Sequence, residues 1–309
     1  MAGTLWTSDF HFEGGRVKVR TTGAELALDR GLLTDCVLWL GYYVPVRLLG
    51  VWVALARPGP KVWFAPDIPR PWYLIGLVSL WAGVRVARRP EEAQAAFYFE
   101  DATVARPPPC DLPRRYNFAC ADVSKSHVAA VFEQVFGYPL TIDPAQWTGP
   151  AVEKGEDNGA HDGRLVQCPC PARPGRVYQR VIDTVDGGHV VDLRTPCVGG
   201  IPVMVFVKRR PVPDRFANYN SSVALGRPED HFTADELATI GRFCTAMKLD
   251  WGGLDILRDK ADGRLYVVDV NKTDMPPLRL PWLQKMDAVA RLAKALTTMI
   301  HSDFAGGRA

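Results

Sequence analysis

The sequence predicts an α/β chain in which a small N-terminal α/β domain precedes a longer α+β region. Three observations predict it. Strand, helix, strand and strand patterns follow one another before residue 101, a proline-dense break lies near residue 110, and glycine-turn hairpins alternate with amphipathic helices beyond it. At 309 residues the chain is too long for one small core, so two or three subdomains are expected. A composition of 47% hydrophobic and 23% charged residues excludes a disordered or fibrous chain. The net charge of +3 argues against nucleic acid as an obligatory partner, because such a binder concentrates far more Lys and Arg.

The N-terminus, "MAGTLWTSDFHFEGGRVKVR", lacks the basic-then-apolar order of a signal peptide. After this irregular region, "CVLWLGYYVPVRLLGVWVALA" (36–56) is strongly apolar but broken by Pro45 and Arg47. Without an uncharged run of about 18 residues it reads as a core helix or strand rather than a span, with any membrane contact confined to an interfacial surface. "KVWFAPD" (61–67), "PWYLIGLVSLWAG" (71–83), "VRVARR" (84–89) and "AAFYFED" (95–101) then read as strand, helix, strand and strand of a parallel layer. "RPPPCDLPRR" (106–115) packs four prolines into ten residues and marks a linker, which places the first boundary at 115/116.

Beyond it, "DVSKSHVAAVFEQVFGYPL" offers Asp122 or Ser124 as N-cap, and Val128, Val131, Phe132, Val135 and Phe136 share one helical face until Gly137. "AVEKGEDNGAHDGRLVQCP" (151–169) reads as two strands around a glycine-containing loop, and "RVYQRVID" (176–183) as another strand. "HVVDLRTPCVGGIPVMVFVKRR" (189–210) is a hairpin turning at Gly199 and Gly200. The capping pattern "TADE" opens a helix from Thr233 to Met247. "GGLDILRD" and "RLYVVDV" form the last hairpin, and "WLQKMDAVARLAKALTTMIHSDF" (282–304) is a closing amphipathic helix.

The chemistry gathers at the last hairpin. Asp269 and Asn271 are separated by one residue in a strand, so their side chains point the same way. Antiparallel pairing across "DKADGR" brings Asp255 beside Asp269, and two carboxylates with an amide oxygen make a hard-oxygen set suited to Mg²⁺. The alternative is a pair of solvated strand-end acids, but the apolar flanks argue for a covered cleft. Lys154 stands before "GEDNGAHDG", where Gly155, Gly159 and Gly163 allow backbone N–H groups to approach an anion. A hairpin turn needs glycine anyway, so the loop points to a triphosphate only together with the lysine and the acids. His161 in that loop either contacts phosphate or bonds to its own turn. Arg215, Asn218 and Asn220 of "RFANYN" either position substrate or satisfy a turn. The seven cysteines include no CxxC pair; "QCPC" is a CxC, a poor spacing for structural zinc. Free, non-catalytic thiols of a reducing, cytoplasmic setting are expected.

From about residue 117 to 300 the order of these elements resembles an ATP-grasp domain, most closely the branch of ribosomal-protein glutamate ligases and related amino-acid ligases. The resemblance is carried by "DLR" followed by "VGG" and a strand ending in basic residues, by "RFANYN", by the helix with "E…MKLD", and by "GGLDILRD…GRLYVVDVN". It implies an ATP-grasp fold behind an N-terminal α/β pre-ATP-grasp domain (1–115), with ATP between a small subdomain (116–185) and a large one (186–309). It further implies that Asp255, Asp269 and Asn271 hold Mg²⁺. Lys154 matches the lysine beside the phosphate loop, to which Gly159 and His161 belong, and Lys125 matches the first nucleotide lysine. Gln179, with the backbone of Arg180, Val181 and Ile182, falls at the adenine hinge. Arg194 and Arg209 match basic positions near the γ-phosphate and the acceptor carboxylate.

Two departures stand out. The family usually has Glu-x-Asn where this chain has Asp269-Val-Asn271, an acid one methylene shorter. The segment after it is "KTDMPP", not the small-residue, Pro-Gly segment of the glutamate ligases, so acceptor recognition is expected to differ. The activity implied is an ADP-forming carboxylate–amine ligase that uses ATP and Mg²⁺, passes through an acylphosphate, and takes a small carboxylic or amino acid and an amine. A kinase of a small hydroxylated substrate and a non-catalytic nucleotide-binding module are the alternatives.

Overall fold

The computed structural model describes residues 6–19, 25–56, 58–160, 162–217 and 220–306. Chain packing divides it into two units, Met1–Asp101 with Pro108–Arg115 and Thr273–Ala309, and Ala102–Pro107 with Tyr116–Lys272. The proline-rich segment therefore lies where the chain passes between units, and the last helix falls in the first unit, not with residues 186–272. A helix's own periodicity shows which face is buried but not which sheet buries it.

In the first unit the region read as irregular is an antiparallel meander, β1 (Phe10–Glu13), β2 (Arg16–Val19) and β3 (Glu25–Ala27). Its first turn places Gly14 and Gly15 at φ 55° and 72°, the left-handed region that glycine enters without strain. The apolar run forms one helix, α1 (Arg30–Ala56), with Pro45 inside it. The parallel layer then appears as read. β4 (Lys61–Pro66) lies between β5 (Arg85–Val86) and β6 (Ala95–Phe99), both parallel to it, with α2 (Leu74–Trp81) as the crossover. Every residue of β6 is buried, as expected of a central parallel strand.

The strand predicted over 84–89 shortens to two residues. The expectation that 36–56 is a core element is corrected. α1 lies against α2 and the closing helix α5 (Trp282–Gly306) along one side only, and Leu33, Val37, Leu48, Trp52 and Leu55 on the other are exposed.

The chain enters the second unit through β7 (Arg115–Tyr116). Ser124 caps α3 (Lys125–Phe136) by accepting from the His127 N–H, and Gly137 ends it in the left-handed conformation at φ 80°. A three-stranded antiparallel sheet follows, with β8 (Gly149–Gly155) between β9 (Arg164–Cys168) and β10 (Arg176–Arg180). The main sheet runs β15-β14-β12-β16-β17. Its strands are β12 (His189–Val198), β14 (Val205–Pro211), β15 (Ser222–Gly226), β16 (Trp251–Arg258) and β17 (Leu265–Asn271), with the short β11 (Val185–Asp186) and β13 (Ile201–Pro202) also paired to β12. α4 (Ala234–Ala246) opens with the predicted capping box, Thr233 and Glu236 each bonding the other's backbone N–H.

Alternation along these strands gives the main sheet two unlike faces. Leu193, Leu254, Ile256, Val267 and Val270 point to one side, where they form a core with Val128 and Phe132 of α3 and with Ile240 and Phe243 of α4. Asp192, Arg194, Asp255 and Asp269, which alternate with them, point the other way and are charged.

Candidate active site

Cross-strand register assembles the polar face. Asp192 on β12 pairs with Lys208 on β14, Arg194 with Asp255 on β16, and Asp255 with Asp269 on β17. Directly opposed residues of an antiparallel pair share a face, so these groups form a continuous charged row with Asn271 two residues beyond Asp269. Opposite Asn271 stands Gly253, which has no side chain to fill the space beside the amide. The predicted adjacency of Asp255 and Asp269 is thus present, and with it the shared face of Asp269 and Asn271.

A bulge interrupts the last hairpin. The register steps from Asp255↔Asp269 to Ile256↔Val267, which leaves Val268 without a partner in the ladder. Its carbonyl accepts from Lys154 Nζ at 3.0 Å. The small sheet thereby supplies one cation to the row, since Lys154 and Val152 alternate onto the same side of β8 and Gln179 of β10 lies opposite Val152. A second cation comes from α3, where Lys125 donates to Asp269 Oδ1 at 2.5 Å and is itself buried. A lysine in the first turn of a helix opposes the helix dipole; the Asp269 carboxylate offsets that cost here.

The electrostatics follow from this crowding. Burial pushes the Lys154 ammonium down to about 8; the nearby Asp269 charge raises it and Lys125 lowers it further. Burial alone would raise Asp255, but Arg194 Nη1 at 2.7 Å and then Lys208 Nζ at 3.5 Å hold it well below the usual carboxylate range. Asp192 moves the other way, up to about 6, through burial and then the charge of Asp255. On this face Asp255 is therefore held ionised, while Asp192 is pushed toward its neutral form.

Lys154, Gln179, Arg180, Ile182, Asp192, Arg210, Asp255 and Val268 line one cavity of about 170 Å³. Four polar atoms of its lining, Gln179 Nε2, Arg180 Nε, Asp192 Oδ1 and Arg210 Nε, are buried with no hydrogen-bond partner among the described residues. A buried donor and acceptor left open cost free energy unless a ligand meets them. Val181 lies between the lining residues Arg180 and Ile182 and is partly buried.

The residues expected to form a phosphate loop are less gathered. Gly159 occupies an exposed turn at φ 72° and does not line the cavity. His161 and Asn218 lie outside the described residues. The loop is tied back at its base: Gly155 N–H donates to Asp162 Oδ1 at 3.1 Å, and Glu156 accepts from the Ser126 N–H at 2.9 Å on the first turn of α3. A Cβ on Gly155 would meet the carboxylate tip of Asp162 at 2.8 Å, so a larger residue there would displace that side chain.

Arg209 is not brought to the row. It points to the opposite side of β14 and pairs with Asp186 at 2.8 Å on the surface. Cys168 and Cys170 are free thiols with sulfurs 3.8 Å apart, and neither lines the cavity.

No family model and no curated protein matches the chain. Among solved structures, the ATP-grasp ligase PsnB complexed with minimal precursor superposes with a TM-score of 0.50 at 12% identity, over 78% of this chain and 99% of that one. The fold is ATP-grasp. The RimK domain protein ATP-grasp of Sphaerobacter thermophilus DSM 20745 superposes at 0.48 and 13% identity, over 78% and 99% of the two chains. The L-amino acid ligase of Bacillus licheniformis superposes at 0.47 and 12% identity, over 79% and 75%.

Three residues of this charged face escaped the sequence analysis. Lys208, Asp192 and Arg210 share the face that Arg209 avoids. Arg210 Nη2 donates to Asp192 Oδ2 at 3.2 Å and to Asn220 Oδ1 at 3.1 Å. Arg215 of the same segment lines the cavity beside Phe216. Strand alternation was the available signal: in "KRR" the middle residue must face away from the other two.

Proposed function

We propose that the second unit binds Mg-ATP and uses it, releasing ADP, to join a small carboxylic or amino acid to an amine through an acylphosphate. The observation that carries this reading is the convergence of Lys125, Lys154 and the Arg194–Asp255–Asp269 row on one face, beside a cavity whose Gln179 and Asp192 atoms are open. Two cations beside paired carboxylates suit a ligand that is itself a polyanion with a metal.

The donor set fits Mg²⁺. Among the described residues no three His, Cys, Asp or Glu side chains cluster as a closed metal site. Two carboxylates and an amide on one face match instead a hard cation that takes its remaining oxygens from phosphates and water. Asp255, Asp269 and Asn271 would hold it, and bound Mg²⁺ would offset the negative charge of the phosphates. Lys125 and Arg194, now paired with those acids, would then also face phosphate oxygens.

In the chemistry proposed, a substrate carboxylate oxygen bonds to the γ-phosphorus as the bond to the β–γ bridging oxygen breaks. An amine then bonds to the acyl carbon, and phosphate and a proton leave. The chain's part is to position these groups and to balance charge. Lys154 delivers one charge from the small sheet, and Arg194 another from the main sheet. Gln179 supplies a donor at the base-binding end of the cavity. The loop after Lys154 would exclude water, which would hydrolyse an acylphosphate. A reducing cytosol, where ATP is plentiful, suits such an enzyme and its free thiols.

The test is incubation with Mg-ATP and a panel of amino acids and small carboxylic acids, followed by ADP release and mass spectrometry. ADP, phosphate and an amide product are expected. A stable phosphoester would replace this reading with a kinase, and nucleotide binding without turnover on any acceptor would reduce it to a binding module.

A further inference from the structure

Helix α1 of the first unit is apolar around its whole circumference, and only half of it is used. No charged residue lies between Asp35 and Arg47, nor between Arg47 and Arg57. A helix of that kind belongs where every side is covered. Its inner side is covered by the protein itself. Tyr42 and Val46 are fully buried there, and a Cβ on Gly50 would meet the Leu80 carbonyl of α2 at 2.8 Å.

Polar ties hold that side in place. Trp39 Nε1 donates to the Pro71 carbonyl at 3.2 Å, Tyr42 Oη to the Pro277 carbonyl at 3.0 Å, and Lys285 Nζ to the Leu38 carbonyl at 2.9 Å. The outer side carries Leu33, Val37, Leu40, Val44, Leu48, Val51 and Leu55, each exposed. Their spacing of four, three, four, four, three and four residues keeps the stripe nearly straight for about 33 Å at 1.5 Å per residue. So long a continuous apolar stripe marks an interaction surface.

The C-terminal half of α1 also borders a groove. Its walls are Trp52, Val53, Trp81 and Ala293, and it encloses about 940 Å³. The ionisable groups lining it are Arg85, Lys294 and His301, with no carboxylate among the described lining residues. Arg85 is fixed at the rim by its bond to the Gly59 carbonyl at 3.1 Å. Arg47 adds a further exposed cation within the stripe, on a stem long enough to reach past its apolar neighbours.

From the apolar stripe and this one-signed groove we propose that the first unit docks on an anionic lipid bilayer. α1 lies in the plane of the interface with its outer side among the acyl chains, while the groove and Arg47 receive phosphate headgroups. The charge decides between occupants. A second copy of the chain would set Arg47, Arg85 and Lys294 against the same cations, whereas an anionic bilayer supplies their counter-charge together with the apolar phase. The bonds at Leu38, Trp39 and Tyr42 and the close approach at Gly50 hold the inner side to the rest of the first unit, which favours a helix lying on the bilayer over one crossing it.

The proposal is tested by co-sedimentation of the full chain with vesicles of phosphatidylcholine alone and of equal phosphatidylcholine and phosphatidylglycerol. The anionic vesicles are expected to carry the protein down and the neutral ones to leave most of it in solution, with binding weakened by salt. Leu48→Asp with Leu55→Asp should lower the anionic partition by at least about tenfold, because each buried apolar group adds to interfacial affinity. Lys294→Glu alone should lower it by about threefold, since each cation near the surface adds a smaller increment. Both sets of residues are solvent-exposed, and circular dichroism melts should match the parent. Lys294→Glu, which leaves the helix face intact, carries the test if the double variant does not fold. The proposal is overturned if neither vesicle binds, if binding ignores these substitutions, or if ultracentrifugation without lipid shows a dimer that Leu48→Asp with Leu55→Asp dissolves.

Discussion

The two faces of the main sheet in the second unit are built from the same strands and differ in almost every property. On one, Leu193, Leu254, Ile256 and Val270 are buried against α3 and α4. On the other, Asp192, Arg194, Lys208, Asp255 and Asp269 form ion pairs within reach of a cavity. One residue's step along a strand moves a side chain from core to cleft. The comparison teaches that on such a sheet residue type alone does not mark a functional position: Arg209 is as basic as Lys208 and Arg210, yet the pleat turns it outward to Asp186.

The largest expected effect lies on the charged face. Asp269→Asn preserves shape and removes one carboxylate charge, so Mg-ATP turnover should fall by roughly 10²–10³-fold, the usual scale for one electrostatic group at a reacting centre. The melting temperature should change little. If turnover survives, the polar face is a structural ion-pair network and the contrast between faces is one of packing alone.

The core face should respond in the opposite sense. Ile256→Ala, at a fully buried position next to Asp255, should cost about 2–5 kcal/mol of stability in denaturant titration. ATP affinity of the folded protein should remain near the parent value. A loss of affinity equal to that of a polar-face variant would show that the two faces are not independent.

A pH experiment sharpens the role of Lys154. Its ammonium is held near 8 instead of the ordinary 10.5 by burial. A phosphate beside it favours the charged form, so nucleotide binding should take up a proton between those values, and affinity should fall as pH rises through about 8. Calorimetry near pH 9 in buffers of different ionisation heat would detect the proton, and Lys154→Met should abolish it. The folding sign is also defined. A cation whose folded pKa is depressed is unfavourable wherever it is charged, so its cost is full below about 8 and disappears as pH rises to 10.5. Lys154→Met should remove that slope.

The smallest effect separates neighbours on one strand. Lys208→Met, which deprives Asp255 of a cation, should weaken nucleotide binding by about tenfold, while Arg209→Gln, an exposed pair opened to water, should stay within about twofold. The reverse order in an ATP titration would restore Arg209 to the cleft and overturn the assignment by pleat.

Much of this was legible in the residues. The hairpin turn "DKADGR" sets a register that any antiparallel pairing must respect, and the capping signals of Ser124 and Thr233 began their helices where expected. The skipped Val268 was not legible, because a bulge arises from how two strands twist against their neighbours. Neither were the Lys125–Asp269 and Lys154–Val268 contacts, which join positions 144 and 114 residues apart.

The sequence by itself determined the alternation that puts Asp269 with Asn271, the caps and turns, and the all-round apolarity of 36–56. Each depends on neighbours within a turn or two of chain, where backbone geometry is local. Tertiary structure decided that α1 keeps one side uncovered, that the closing helix packs in the first unit, and that Asp192 and Asp255, alike in residue type, are driven to opposite protonation tendencies. Those outcomes follow from burial and from which charges lie a few ångströms away, and distance across a fold is set by packing rather than by position along the chain.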